Sequence, residues 1–115
     1  MLIEFCHAKI TYATITQAEL FYEGSITLDR DILEAADIVP GQKVQIVNLN
    51  NGQRFDTYTI AGEAGSGTVC LNGPAARLGV VGDRIHILSY ALIERHKARD
   101  MSTRVVALDA NNKIS

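Results

Sequence analysis

Apolar and polar residues alternate along much of this chain, and the alternation predicts a protein built mainly from β-strands. In residues 3–16 the apolar Ala8, Ile10 and Tyr12 are separated by single polar residues. A period of two in a segment rich in β-branched and aromatic residues indicates one or two strands. Further strands are predicted at residues 68–71, 85–93 and 105–108.

A β-hairpin is predicted in the middle of the chain. Residues 43–49 and 54–60 both have strand composition, and Asn50, Asn51 and Gly52 lie between them. Asn-Gly between two β-rich segments favours a tight chain reversal, because both residues tolerate the left-handed backbone of hairpin turns. The two segments are therefore expected to pair as antiparallel strands.

Helix is predicted to be scarce. In residues 27–37 the apolar Leu28, Ile32 and Leu33 recur at helical spacing, and Asp29 can cap the N-terminus of a single short helix. Short strands with so little helix favour a barrel or a sandwich, because one small open sheet would leave a face and its edges exposed. Turns, connections and one helical turn are predicted at residues 40–41, 62–67, 74–78, 94–100 and 110–112.

The composition fits one cytoplasmic domain. A length of 115 residues allows one core, and 47% hydrophobic with 21% charged residues is close to the globular average. No apolar segment reaches the ~20 residues of a membrane span, and the N-terminus lacks the layout of a signal peptide. The net charge of −2 supplies no general attraction for nucleic acid. Neither nucleic acid nor a membrane is therefore expected as a partner.

The cysteines and histidines predict no metal site. Cys6 and Cys70 lie in strand-like segments outside any Cys-x-x-Cys pattern, which favours reduced, buried thiols over a disulfide or a zinc site. His7, His86 and His96 are scattered, without the spacing of paired ligands.

The pair Gly24-Ser25 could support self-cleavage. Because Gly24 has no Cβ, its carbonyl is open to attack by the Ser25 hydroxyl, and glycine tolerates the strained backbone that the attack needs. The attack converts the amide to an ester. Loss of the Ser25 α-proton then expels the acyl group, and hydrolysis of the resulting dehydroalanine leaves a pyruvoyl ketone and ammonia. Gly-Ser is also a common turn dipeptide, so on residue types alone an ordinary loop at residues 22–25 is favoured.

The wider sequence resembles a known family. The resemblance runs over residues 1–114 and is to the pyruvoyl-dependent aspartate 1-decarboxylases of bacterial pantothenate synthesis. Four blocks, in order and at the family's spacing, carry it: HAKITYATIT at residues 7–16, LFYEGSITLD at 20–29, NNGQRFDTY at 50–58 and LNGPAARL at 71–78.

The resemblance also implies a fold. VGDRIHI at residues 81–87 resembles the Gly-Asp box of double-psi β-barrels, the architecture of this family. The chain is thus expected to form one domain of residues 1–115, an all-β dominated double-psi β-barrel with short helical turns.

Roles for individual residues follow from the same resemblance. Cleavage between Gly24 and Ser25 would leave a β-chain of residues 1–24 and an α-chain of residues 25–115 that begins with the pyruvoyl group made from Ser25. Catalytic roles are implied for Ser25 and for Tyr58 as proton donor, and self-cleavage for Gly24, Ser25 and Thr57. Substrate-binding positions are implied at Lys9, Arg54, Thr57, Asn72, Gly73, Pro74 and Ala75.

The implied reaction converts L-aspartate to β-alanine and carbon dioxide. The substrate amine would form a Schiff base with the pyruvoyl ketone, which would take up the electrons of the departing carboxylate, so neither pyridoxal phosphate nor a metal would be needed. Arg54 is assigned to the retained side-chain carboxylate, because pairing the departing one would oppose loss of its charge. Family members are homotetramers with active sites between subunits, and a maturation factor is an open question.

The chain departs from the family pattern at four positions. Thr11 and Tyr12 stand where a histidine and an arginine are common, so the role of that imidazole is lost or taken over. Val47 stands where some relatives have tryptophan. Pro74 replaces a common alanine and cannot donate a backbone hydrogen bond.

Two other functions remain open at this point. A non-catalytic double-psi barrel that binds protein or DNA would stay one intact chain with an unmodified Ser25. A pyruvoyl-dependent decarboxylase for another amino acid would share the barrel and Ser25, but would not need the carboxylate-binding Arg54.

Overall fold

The computed structural model describes residues 1–115 as eight strands with three short helical segments. The helical segments are α1 Arg30–Ala36, a 3₁₀ helix Gly73–Arg77 and α2 Arg95–Ala98. The strands are β1 Leu2–Thr14, β2 Gln17–Glu19, β3 Ser25–Asp29, β4 Lys43–Asn48, β5 Arg54–Gly62, β6 Val69–Asn72, β7 Arg84–Glu94 and β8 Arg104–Ala107. No helix has the length and apolar composition needed to cross a membrane.

The strands form one mixed sheet that curls back on itself. Their order is β2-β6-β3-β5-β4-β7-β1-β8. The pairs β3/β5, β1/β8 and β2/β6 are parallel and the others are antiparallel. Just after β1, the Thr16 N–H donates to the Val69 carbonyl at 2.8 Å. This hydrogen bond connects the end of β1, the seventh strand in that order, to β6, the second. This strand-dominated, curled sheet is consistent with a double-psi β-barrel, so the expected fold class is confirmed.

The core lies inside the curl. Ile10, Ile46 and Ile87 are fully buried and form one row across three neighbouring strands, with Phe55 at the end of the row. Burying side chains of this size contributes about 1.5–3 kcal/mol each relative to leaving them exposed. Alternate residues of these strands point away from the core, so the sheet has a distinct outer face.

Most of the predicted elements are confirmed, including the short helix capped by Asp29, but the strand that precedes this helix was not predicted. The hairpin pairs β4 with β5, and Asp29 caps α1, its Oδ1 accepting the Asp31 N–H at 2.8 Å. However, residues 25–29 form β3, which pairs with both β5 and β6. Pairing with two neighbouring strands places Leu28 in the sheet, although its spacing from Ile32 is helical. Residues 94–100, expected as a connection, contain α2, and the three-residue β2 was not predicted.

Asp29 also holds the glycine-rich turn that follows β5. Its Oδ2 accepts the Gly67 N–H at 2.8 Å, and its Oδ1 accepts the Gly65 N–H at 3.0 Å. Burial raises the pKa of this carboxyl. Hydrogen bonds from three backbone N–H groups, those of Gly67, Asp31 and Gly65, lower the pKa, as does the charge of Lys113. Together they outweigh the effect of burial and bring the pKa below its usual 3.8. The charged form of Asp29 therefore stabilises this end of β3.

Candidate active site

Ser25 is a buried strand residue and not part of an ordinary loop. It begins β3, has no exposed surface, and lies opposite Asn72 of β6 in the antiparallel register. The loop interpretation drawn from residue types is therefore wrong for Ser25. Because the backbone here belongs to the sheet, the position of the Ser25 hydroxyl is determined by the pairing of β3 with β6.

The Asn72 side-chain amide organises the polar groups around Ser25. Its Nδ2 donates to Ser25 Oγ at 2.8 Å and to Thr27 Oγ1 at 2.9 Å. Its Oδ1 lies 3.3 Å from Cys70 Sγ. Asn72 is 4% exposed. The amide therefore makes side-chain contacts on both ends inside the protein, as a buried polar group should.

The glycine that the local geometry requires is Gly73, not Gly24. Gly73 has φ +64°, and a Cβ there would lie 2.5 Å from the Tyr22 carbonyl oxygen and 2.9 Å from the Gly24 nitrogen. Gly24 lies outside the left-handed region, and a Cβ on it would meet only Pro74 Cδ at 3.9 Å. The strained backbone expected at Gly24 is thus not observed. Instead, Gly73 lets the segment before Ser25 pack closely against the start of the 3₁₀ helix.

A small cavity opens beside this segment. Its volume is about 280 Å³. It brings together four residues predicted from the resemblance, which are Gly24, Thr57, Pro74 and Ala75; Phe55, Asp56 and Leu78 complete the lining. Pro74 lies in the first turn of the 3₁₀ helix and has no N–H to offer the cavity.

Three other predicted residues lie elsewhere, on the outer face of the sheet. Arg54 and Tyr58 alternate with the inward-facing Thr57 along β5, and Tyr58 is 41% exposed. Arg54 Nη1 donates to Gln45 Oε1 at 2.8 Å on the neighbouring strand. Lys9 lies half-buried on β1, between the buried Ala8 and Ile10. Within one chain these side chains do not line the cavity beside Gly24.

Comparison with known proteins identifies the family. The family model described as aspartate decarboxylase matches residues 1–115. The chain belongs to the aspartate decarboxylase family.

Curated proteins named aspartate 1-decarboxylase are similar over almost the whole chain. The protein from Caldicellulosiruptor saccharolyticus is 53% identical over 99% of this chain and 89% of its own length. The one from Thermoanaerobacter pseudethanolicus is 54% identical over 92% and 91%, and the one from Salinibacter ruber is 50% identical over 100% and 79%.

Membership of the aspartate decarboxylase family confirms the resemblance and the predicted enzyme class. The family pattern did not point to Thr27 or Cys70, which contact Asn72 directly in the structure. Side chains two apart on a strand project to the same side. That rule would have found both residues, because Thr27 follows Ser25 by two positions and Cys70 precedes Asn72 by two. For Thr27 the signal was missed because residues 27–37 were examined for helical spacing, and for Cys70 because the predicted strand at residues 68–71 ended before Asn72.

Two of the departures from the family pattern lie beside His86. Tyr12 has φ 59°, and its N–H donates to His86 Nδ1 at 3.1 Å. Val47 is the cross-strand neighbour of His86. Burial lowers the pKa of His86, and the charges of Lys9 and Arg84 lower it further. A neutral imidazole therefore lies on the outer face near Lys9 in this member of the aspartate decarboxylase family.

Proposed function

We propose that this protein decarboxylates L-aspartate to β-alanine and carbon dioxide after cutting its own chain between Gly24 and Ser25. Family membership supports the substrate and the reaction. The observation that carries the self-cleavage is the Ser25 hydroxyl, which is buried next to Gly24 with a 2.8 Å hydrogen bond from Asn72. The product β-alanine would supply pantothenate synthesis in the cytoplasm.

The residues around Ser25 suit an attack on the preceding carbonyl. Ser25 Oγ would bond to the Gly24 carbonyl carbon while the Gly24–Ser25 amide bond breaks, and the hydroxyl proton would pass to the Ser25 nitrogen. The Asn72 Nδ2–H stabilises negative charge on Oγ as that proton leaves. Thr57 lines the cavity beside Gly24, where its hydroxyl can donate to the carbonyl oxygen. Loss of the Ser25 α-proton then expels the Gly24 carboxylate, and hydrolysis releases ammonia.

The same surroundings fit a pyruvoyl group at position 25. A ketone oxygen only accepts hydrogen bonds, and Asn72 already presents an N–H donor at the position of Ser25 Oγ. Once formed, the group supplies an electrophilic ketone that binds the substrate amine and accepts the electrons released with carbon dioxide. Neither pyridoxal phosphate nor a metal has a part in the proposal.

We place the substrate between two subunits of a homotetramer. Lys9, Arg54 and Tyr58 lie on the outer face of the sheet, away from the cavity beside Gly24, so a second copy of the chain would have to bring them to it. Arg54 would hold the retained carboxylate of aspartate bidentately, with assistance from Lys9. Tyr58 would return the proton to the α-carbon. The backbone of Gly73, Pro74 and Ala75, with Asn72, would form the other wall.

Intact-mass spectrometry of the purified protein after warm incubation tests the proposal. We expect two chains of roughly 2.8 and 9.7 kDa, the larger about 17 Da lighter than a fragment that begins with serine, because the terminal amine is replaced by a ketone. Addition of aspartate should then release carbon dioxide. A single species at 12.5 kDa that persists in a lysate able to supply a maturation factor would contradict the proposal and favour a non-catalytic binding module.

A further inference from the structure

Cys70 is a buried thiol in direct contact with the amide that serves Ser25. It lies on β6, is 5% exposed, and its Sγ is 3.3 Å from Asn72 Oδ1 and 3.8 Å from the Leu71 carbonyl oxygen. The shorter of these is a good sulfur hydrogen bond, in which the S–H donates to the amide oxygen. Neither the attack on Gly24 nor the binding of aspartate as proposed above uses this thiol.

The contact selects one of two possible orientations of the Asn72 amide. In the observed orientation, the NH₂ group donates to two hydroxyls, Ser25 Oγ and Thr27 Oγ1, while the oxygen accepts from the thiol. After a rotation of 180° about the last side-chain bond, the oxygen would face both hydroxyls and the NH₂ group would face sulfur. Hydroxyls can donate or accept, so they accommodate either orientation. The thiol can donate through its S–H, but its sulfur accepts only weakly, so of the three partners it is the one that favours an oxygen opposite it.

The orientation matters because the two ends of the amide act oppositely on Ser25. An N–H directed at Oγ stabilises the negative charge that develops as the hydroxyl loses its proton. A carbonyl oxygen in its place would instead accept the hydroxyl proton and oppose that charge. Burial raises the pKa of Cys70, and the charge of Glu19 raises it further. A hydrogen bond from the Glu19 backbone lowers the pKa but does not reverse the shift. The thiol therefore keeps its proton at neutral pH.

We propose that Cys70 is a positioning residue for self-cleavage, whose S–H holds the Asn72 amide with its NH₂ group toward Ser25. This inference rests on the proposed function, because it assumes that Ser25 is the attacking group.

The experiment compares cleavage rates of the parent with those of Cys70→Ala and Cys70→Ser. Cleavage is followed by intact mass at one temperature, well below the midpoint of thermal unfolding of every variant. Cys70→Ala removes the donor and leaves the amide oxygen buried without it, and we expect cleavage to slow by about fivefold or more. Cys70→Ser keeps a donor of similar size, but its hydroxyl can also accept, so the productive orientation of the amide stays populated without being the only one; its rate should lie within about threefold of the parent and above that of Cys70→Ala.

Val69→Ala is the matched control. Val69 is also fully buried on β6, and because it is one position from Cys70 its side chain projects to the opposite side of the strand from Cys70 and Asn72. It should lower thermal stability at least as much as Cys70→Ala while leaving the cleavage rate at the parent value. A general loss of packing would slow cleavage in Val69→Ala as well, and would not be rescued by serine at position 70.

The outcomes separate this inference from the proposed function. A parent that cuts, with Cys70→Ala cutting equally fast, overturns the positioning role and leaves the proposed function intact. Equal slowing in Cys70→Ala and Cys70→Ser also overturns the positioning role, because the hydroxyl donor kept in Cys70→Ser would then have no effect on the cleavage rate. A parent that never cuts overturns both.

Discussion

The cluster around Ser25 and the outer face around Arg54 differ in how complete they are within one chain. Ser25, Thr27, Cys70 and Asn72 are joined by hydrogen bonds of 2.8–3.3 Å in the interior. Arg54 and Tyr58 are exposed, and the one hydrogen bond of Arg54 goes to a neighbouring strand. Under the proposed function, the first region would act on its own backbone, whereas the second would contact a group outside the chain. Cleavage would then use groups that one chain brings together, and decarboxylation would depend on assembly of several chains.

The largest expected effect is from Ser25→Ala, which removes the nucleophile of the inner cluster. The variant should fold, remain one chain of about the parent mass and release no carbon dioxide from aspartate. Intact mass and a decarboxylation assay measure both results. Thr27→Ala is the control, since it removes the other hydroxyl bonded to Asn72 and should still be cut. Any decarboxylation by uncut Ser25→Ala would disprove the division of roles drawn above.

Gly73→Ala should have the next largest effect, through the packing of the segment before Ser25. We expect a loss of about 2–5 kcal/mol in the free energy of unfolding, from the left-handed backbone and the contact with the Tyr22 carbonyl together. The Ser25→Ala background keeps all variants as one chain for this measurement by urea denaturation. Gly41→Ala is the matched control. Gly41 has φ +93° but open space around its Cβ position, so it should lose only about 1–2 kcal/mol. Equal losses at the two glycines would contradict the close packing.

Arg54→Ala tests the outer face. We expect the KM for aspartate to rise by about tenfold to a hundredfold, because a charge-assisted, bidentate contact is lost, while the cleavage rate stays within about twofold. Arg99→Ala, an exposed arginine next to α2, should change neither quantity. A similar slowing of cleavage and of substrate use in Arg54→Ala would mean that the two regions are not separate.

The smallest effect concerns Asp29, at the opposite end of β3 from Ser25. Its folded-state pKa is below the usual 3.8, so its charged form stabilises the fold above that pH, and the contribution is lost as the pH falls through the folded pKa. Urea unfolding at pH 6 and pH 3 in the Ser25→Ala background should show a smaller loss of stability for Asp29→Asn than for the parent sequence. Asp100→Asn, at an exposed carboxylate, should keep the parent's pH dependence.

The sequence predicted the parts of the fold that depend on local chemistry. Asn51-Gly52 led to the hairpin and Asp29 to the start of α1, because turns and helix caps are determined by a few adjacent residues. The strand at Ser25 was not predicted, since it forms only by pairing with β5 and β6, which lie about 30 to 45 residues further along. Leu28 was therefore counted with the helical spacing of residues 27–37, although it lies in this strand.

The candidate site was predicted in the same uneven way. The resemblance named Gly24, Thr57, Pro74 and Ala75, and the structure brings these four together in one cavity. It also named Lys9, Arg54 and Tyr58, but no sequence pattern shows that a site is divided between a cavity and an outer face. The sequence also did not predict why position 73 needs glycine, because the reason is a contact with a segment 50 residues earlier.

The long strand β1 determines what would happen to the N-terminal piece after the proposed cut. It belongs to the 24 residues ahead of the proposed cut, yet it pairs with β7 and β8, and β2 pairs with β6. A cut after folding would thus release nothing, and the severed piece would stay in the sheet, with its strand β1 paired on both sides. Once such a molecule unfolds, however, its two pieces must find each other again in solution. Dilution would then favour the unfolded pieces, so that each molecule folds easily only once, before it is cut.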